Sequence, residues 1–213
     1  MEQEETNHED EVFAGDKDWL AHKKSQSETE EYIHTCISQL CRLLSLEQTN
    51  TIPDISQFDI YANLEDLYDL KYFSSATSLL PFTVIACYHD DVDTLYYDDA
   101  SLLGVVELRN RYPATSLQRE KVGDKLADLI IKADIDFKEQ KKFSQTFHLV
   151  SADKAFIRQH WERKPLDLLA DYPALQLIIK DSYCIYKLYD DGLDENRVSD
   201  FATLTNNLLK ILG

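Results

Sequence analysis

The sequence predicts an α+β domain in which helices pack mainly on one face of an antiparallel sheet. Three observations support this class: amphipathic helical patterns lie near both ends of the chain, β-prone runs lie between them, and several of those runs follow one another closely. Short connections favour antiparallel pairing of strands. With 213 residues, of which 44% are hydrophobic, the chain can bury a core without metal or disulfide crosslinks.

The first 24 residues differ in composition from the rest of the chain. Residues 1–24 combine an acidic run with Gly15 and show no apolar periodicity, which predicts a mobile acidic arm. We therefore expect a single α+β domain over residues 25–213, mainly helical over 25–75 and with mixed sheet and helix over 76–213.

The helical part begins with a clear amphipathic pattern. In SQSETEEYIHTCISQLCRLLSL, Ser27 can cap the helix, and the glutamates that follow favour its N-terminal end. The apolar stripe of this helix consists of Tyr32, Ile33, Cys36, Ile37, Leu40, Leu43 and Leu44. The proline-containing stretch after it indicates a connector, and residues 62–73 indicate a short helix or an irregular arm.

Two β-prone runs come next. Residues 82–87 predict a buried strand, and residues 101–112 predict its antiparallel neighbour, which Pro113 should end. Near-helical spacing of leucine and isoleucine then predicts a helix over residues 116–133, with Ser116 as its cap.

The stretch DIDFKEQKKFSQTFHLVSADKAF joins charged residues to a short apolar alternation. A period of two over residues 145–150 predicts a strand. A helix capped by Ser151 or Asp153 should follow and end at Trp161, and residues 166–172 predict one more helical turn.

The C-terminal part of the chain shows strong strand and helix signals. Residues 173–180 and 183–189 are β-rich runs separated by Lys-Asp-Ser, which predicts a β-hairpin. A last helix should begin after Asp194, which can serve as its cap. The apolar face of this helix consists of Val198, Phe201, Leu204, Leu208 and Ile211.

The charge of the chain limits its partners. With 39 acidic and 22 basic residues, the formal net charge is −17. Phosphate backbones and anionic lipids are bound through Lys and Arg, so this charge argues against nucleic-acid and membrane partners. We expect a protein partner, and a basic one would suit the charge. No apolar run approaches the ~20 residues that cross a bilayer, and the acidic N-terminus lacks a signal-peptide pattern, so a cytoplasmic location is expected.

A dense set of carboxylates lies between the first two β-prone runs. It consists of Asp90, Asp91, Asp93, Asp98 and Asp99. Hard cations such as calcium need several such oxygen ligands. An EF-hand counted from Asp91 would require Gly and Glu where Tyr96 and Leu102 stand. We therefore expect a solvated acidic loop, with calcium binding as the alternative, and no cofactor.

Other signatures of catalysis are weak. Asp-Phe-Lys at residues 136–138 has the D-x-K form of metal-dependent nucleases, but such a tripeptide arises by chance in a charged chain. The six histidines include no pair at i, i+3 or i+4 spacing. The chain also lacks the glycine motifs of nucleotide-binding loops and the G-x-S-x-G motif of a serine nucleophile.

Residues 113–212 resemble the soluble domain of an uncharacterised bacterial protein family whose members are often membrane-tethered. The matching pattern is D-x-D-F, F-S-x-x-[FY]-x-L and D-x-x-x-[VI]-R. It falls on Asp134, Asp136, Phe137, Phe143, Ser144, Phe147, Leu149, Asp153, Ile157 and Arg158. This chain departs from the pattern in lacking a membrane span and in having Ser182 and Tyr183 where relatives tend to have Gly.

The resemblance implies structural roles and carries over no catalytic residue. Phe137, Phe143 and Phe147 are expected to be core anchors. The two aspartates, Asp134 and Asp136, and Arg158 are candidates for a local hydrogen-bonded carboxylate–guanidinium pair that holds a strand against its helix.

The favoured function is a non-enzymatic, acidic, cytosolic accessory or protein-binding domain. The first alternative is an immunity-protein or antitoxin-like inhibitor whose acidic surface covers a basic toxin. The second alternative is a metal-dependent hydrolase, which is the only one of the three readings that makes the chain an enzyme.

Overall fold

The fold is built around two long paired strands. The structure, a computed structural model, describes residues 9–58, 64, 68–75, 78, 80–90, 97–119, 134–189 and 192–213, with the backbone alone for residues 9–26, 90, 97 and 98. The helices are α1 (Glu9–Leu44), α2 (Lys141–Thr146), α3 (Lys154–Trp161) and α4 (Glu195–Leu212), and Leu166–Leu168 form a 3₁₀ helix. The strands are β1 (Glu47–Thr49), β2 (Asp69–Ser74), β3 (Phe82–Asp90), β4 (Tyr97–Arg119), β5 (Phe147–Ser151) and β6 (Gln176–Lys187).

All strand pairs of the sheet are antiparallel. The order is β1-β2-β3-β4-β5, and β6 also pairs with β4. The N-terminal part of β4 pairs with β3, its residues 103–106 pair with both β3 and β6, and its residues 115–117 pair with both β5 and β6. Strand β4 therefore belongs to both ends of the sheet, and β6 accompanies it along most of its length.

Helices α1 and α4 pack against each other and against β4. Side chains alternate between the two faces of a strand. Val84 of β3 and Val106 of β4 point into the large core that contains both helices, whereas Ile85 and Val105 point to the second face of the sheet. On that second face, a smaller apolar cluster includes Phe58 from the segment after β1. The predicted α+β class is confirmed.

Helix α4 begins as the sequence predicts. The Asp194 carboxylate accepts hydrogen bonds from the backbone N–H groups of Asn196 and Arg197, which satisfies two of the free amides at the start of the helix. Asp153 likewise caps α3 by accepting from Phe156 N at 3.0 Å. The turn predicted over residues 166–172 contains the 3₁₀ helix.

Helix α1 begins at Glu9, inside the segment predicted to be a mobile arm. Of the predicted apolar stripe, Ile33, Cys36 and Leu40 are buried, whereas Tyr32 and Leu43 are 44% and 49% exposed. The helix ends at Leu44, and Ser45 then adopts a left-handed backbone with φ of 51°. The mobility of residues 1–24 stays a prediction.

Two predictions, for residues 69–73 and 116–119, are wrong. Residues 69–73, expected to be helical or irregular, lie in strand β2, because Tyr72 and Phe73 each pack into one of the two cores. Residues 116–119, expected to begin a helix, are the last residues of β4 and pair with β5. The remainder of that predicted helix, residues 120–133, lies outside the described residues.

Pro113 does not end its strand. The pairing of β4 with β6 changes register between Tyr112 and Thr115, so residues 113 and 114 lie opposite the single residue Lys180. Proline removes a ladder hydrogen bond in a regular strand, but it is tolerated at such a bulge. Strand β4 therefore continues through Pro113.

The predicted hairpin over residues 173–189 is also wrong. Its two runs form the single strand β6, and the intervening Asp181 adopts a left-handed backbone with φ of 52°. Leu177 before Asp181 and Cys184 after it point into the same core although their positions differ in parity. The irregularity at Asp181 thus reverses the alternation without reversing the chain.

Within the predicted strand 145–150, only the later residues are extended. Gln145 and Thr146 end helix α2, where the Phe147 N–H donates to Phe143 O. Strand β5 then buries Phe147 and Leu149.

Candidate functional site

The acidic loop contributes a structural carboxylate. Asp99 accepts hydrogen bonds from Gly192 N at 2.5 Å and from Leu193 N at 3.1 Å, as well as from Ala100 N. These bonds attach the segment before α4 to the start of β4. Of the other four predicted ligands, Asp91 and Asp93 lie outside the described residues, and only the backbone of Asp90 and Asp98 is described. Calcium binding therefore stays an untested alternative.

Asp134 accepts hydrogen bonds from backbone amides. Its Oδ1 accepts from Ile135 N at 2.8 Å and from Leu149 N at 2.7 Å, which joins the segment before α2 to β5. Burial raises the pKa of the Asp134 carboxyl, and the two amide bonds oppose that rise. His148 Nδ1 lies 3.8 Å from the same oxygen.

The expected pairing with Arg158 is not formed in the part of the chain that the structure describes. Arg158 and Asp136 are both exposed. The backbone of β5 takes the role that the resemblance implied for Arg158, because Asp134 reaches the Leu149 amide directly.

The three predicted phenylalanine anchors form one buried cluster. The ring centroids of Phe137 and Phe143 are 5.9 Å apart, and those of Phe143 and Phe147 are 5.4 Å apart. Phe137 N donates to Ser144 Oγ, and Phe143 N donates to Asp167 Oδ1. The D-x-D-F and F-S segments thus hold α2 and β5 together as part of the core.

No group of three or more His, Cys, Asp or Glu side chains suited to a metal ion occurs within the described ranges. The four histidines whose side chains are described have separate surroundings. His34 lies near Glu30, His89 near Ser101, His148 near Asp134, and His160 Nδ1 near Phe156 O. The D-x-K tripeptide at residues 136–138 lies within these described ranges and joins no such group.

An open groove of about 470 Å³ lies on the second face of the sheet. One wall is the segment 51–54 after β1, and the other borders come from the ends of β2 and β3. Its floor crosses three strands, because Thr83 of β3 pairs with Val105 of β4, and Glu107 of β4 pairs with Tyr183 of β6. Sequence reasoning missed this groove.

The groove combines apolar surface with negative charge. Val105 is buried in its floor, whereas Ile52 in its wall is 56% exposed. Asp54 and Glu107 are its two charged side chains, and its described lining contains no Lys or Arg. Burial, and then the charges of Glu107 and Asp54, raise the pKa of the Tyr183 hydroxyl. Both carboxylates therefore act on the same region of the groove.

Two hydrogen bonds hold the wall of the groove in place. Asp54 Oδ1 accepts from Ser56 Oγ at 2.6 Å, and Lys180 Nζ of β6 donates to Gln57 O at 2.8 Å. The second bond ties the segment after β1 to the strand that carries Tyr183. The groove is thus bordered by connected parts of the chain.

No protein-family model, no curated protein and no solved structure matches this chain. The resemblance of residues 113–212 to an uncharacterised bacterial family therefore stays a prediction. In the portion of the chain that the structure describes, no helix has both the length and the apolar character needed to span a membrane.

Proposed function

We propose that this chain is a non-enzymatic, cytosolic accessory domain that binds a basic protein partner through the groove on the second face of its sheet. The proposal rests on the residues that line the groove. It offers the exposed apolar side chain of Ile52 and two carboxylates, Asp54 and Glu107, with no cation among its described lining residues.

The chemistry of the groove favours a protein over a nucleic acid. A phosphate backbone requires Lys or Arg at its contacts, and the carboxylates of Asp54 and Glu107 would repel it. A protein surface can present apolar and basic side chains together, and both kinds have a counterpart here. The net charge of −17 adds long-range attraction for a basic partner.

A comparison of two charge-reversed variants tests the proposal. Immobilised wild-type chain, Glu107→Lys and Glu162→Lys are each incubated with a native cell lysate at physiological salt, and the captured proteins are identified by mass spectrometry. Both variants change the net charge equally, but Glu162 is an exposed residue outside the groove.

We expect a basic protein to be captured by the wild type and by Glu162→Lys but not by Glu107→Lys. Equal capture by all three chains, or capture of nucleic acid in place of protein, would contradict the proposal. The inhibitor alternative differs from it in the identity of the partner, so the captured protein also decides between an inhibited toxin and another basic protein.

A further inference from the structure

We infer that the groove takes an extended peptide segment of the partner, which inserts one Lys or Arg side chain between Glu107 and Asp54 beside Tyr183. This inference rests on the proposed function, because it specifies what part of a protein partner the groove accepts. The strand register, the charges and the apolar surface each contribute to it.

The width of the floor favours an extended segment. From Thr83 on β3 to Tyr183 on β6, the floor spans two interstrand spacings, or about 9–10 Å. An α-helix with its side chains needs about 10–12 Å, which exceeds this span, and residues 51–54 form a wall beside the floor. An extended chain is only one strand wide, so it suits this floor better than a helix does.

The charge of the groove favours a basic side chain at one position. Glu107 and Tyr183 lie directly opposite each other on neighbouring strands, and the charges of Glu107 and Asp54 both reach the Tyr183 hydroxyl. A Lys or Arg side chain placed there would contact carboxylates and the face of an aromatic ring, and both stabilise a cation. An acidic side chain would meet like charges.

The surface around this position favours apolar neighbours in the bound segment. Val105 lies in the floor next to Thr83, and Ile52 exposes 56% of its surface at the wall. Covering the Ile52 side chain removes its apolar area from water, which is favourable. The expected segment therefore carries an aliphatic residue next to its basic residue, where it can contact Ile52.

Synthetic peptide pools provide a direct test. Fluorescein-labelled heptapeptides with blocked termini carry Lys, Arg, norleucine or Glu at the central position and aliphatic or small polar residues elsewhere. Fluorescence polarisation measures their binding to the full chain at physiological salt. The same titrations use Glu107→Gln and, as the control with the same charge change, Glu162→Gln. Glu107 is exposed, so its replacement leaves the core unaltered.

We expect saturable binding of the Lys or Arg pool and at least about tenfold weaker binding of the norleucine and Glu pools, because a hydrogen bond to a charged group typically contributes that much. Glu107→Gln should lose about tenfold affinity for the basic pool, whereas Glu162→Gln should match the wild type. Tyr183→Leu should weaken binding of the basic peptides more than binding of the norleucine peptides.

Three results would overturn the inference: equal binding of the norleucine and basic pools, equal losses in the two Gln variants, or no saturable binding of any pool. If capture from lysate still depends on Glu107 in that case, the proposed function stands and only the extended basic segment is wrong. If that dependence is absent as well, both fail.

Discussion

The buried aromatic cluster shows what single side chains contribute to this fold. Phe147 is 1% exposed, and its ring packs on Phe143, which in turn contacts Phe137. Edge and tilted ring contacts of this kind add to the free energy gained by burying the rings. The cluster links α2 and β5 to the rest of the core.

Replacing Phe147 with Ala should lower the free energy of unfolding by about 3–5 kcal/mol, because it removes a buried ring and leaves a cavity. Urea denaturation followed by circular dichroism measures this change. Tyr32→Ala serves as the control, since Tyr32 is 44% exposed and its truncation should cost much less. Equal losses in the two variants would contradict the role of Phe147 in the core.

Asp134 should make the stability of the protein depend on pH in a defined direction. Burial raises the pKa of this carboxyl in the folded state above its ordinary value of 3.8. The folded protein therefore holds the proton more tightly than the unfolded chain does. The resulting contribution to stability is fully present below the unfolded pKa and is lost as the pH rises through the raised folded pKa.

The difference in free energy of unfolding between wild type and Asp134→Asn should therefore depend on pH. As the pH falls from neutral to below 3.8, the wild type should gain free energy of unfolding relative to Asp134→Asn, which has no proton to bind at this position. Urea titrations of both proteins across this range measure the difference. If the wild type instead loses free energy of unfolding relative to Asp134→Asn as the pH falls, the amide bonds of Asp134 outweigh its burial.

The left-handed backbone at Asp181 determines how the whole of strand β6 faces the core. Regular alternation from Leu177 would place Cys184 on the face opposite the helices. The left-handed residue at position 181 shifts the alternation, so both halves of β6 face the large core. A strand of 12 residues results where two shorter strands could have formed.

Val and Gly should rank in opposite order of protein stability at Asp181 and at Gln176. Asp181→Val should destabilise the protein by about 1–2 kcal/mol, because a left-handed backbone is costly for a residue with a branched Cβ, whereas Asp181→Gly should be tolerated. At Gln176, an exposed β6 residue without positive φ, Val should be tolerated and Gly should cost roughly 0.5–1 kcal/mol.

Chemical denaturation of the four variants tests this order. The Gln176 pair controls for general effects of Val and Gly in a strand. If Gly is worse than Val at both positions, the left-handed backbone at Asp181 is not present in solution.

The chain as a whole carries a large excess of negative charge. Exposed like charges repel over a Debye length of ~10 Å at 0.1 M salt. The repulsion should be strongest where carboxylates are close in sequence, as among Asp90, Asp91, Asp93, Asp98 and Asp99. Salt that screens these charges should therefore stabilise the folded protein without binding at a particular site.

Sodium chloride and calcium chloride at equal ionic strength should raise the melting temperature equally. A cation that bound the folded state would add RT ln(1 + [L]/Kd) to its stability, where [L] is the free cation concentration. Differential scanning fluorimetry measures both salts side by side. A rise of several degrees that is specific to millimolar calcium, and that the double variant Asp91→Asn, Asp93→Asn abolishes, would make the acidic loop a metal site.

Several features of the structure follow from local sequence patterns. The caps at Asp153 and Asp194, the buried stripe of α1 and the extended run from Phe82 depend on residues within a few positions of one another. Composition likewise determined the negative charge. The α+β class could be predicted because helical and strand periodicities are themselves local properties.

The groove could not be predicted in this way. Its lining comes from the segment after β1 and from β2, β3, β4 and β6, with no shared motif. Asp54, Glu107 and Tyr183 are separated by long stretches of chain, and only the pairing of β4 with β6 places Glu107 opposite Tyr183.

The sequence by itself determined which segments are amphipathic, where two helices begin and how acidic the molecule is, because those properties depend on neighbouring residues. The tertiary structure decided that β4 continues through Pro113 and that residues 176–187 are one strand and not a hairpin. The physical reason is that a bulge and a turn share the same residue types, and the choice between them depends on which partner strand satisfies the backbone amides. For β6 that partner is β4, which ends at Arg119, 57 residues before β6 begins at Gln176.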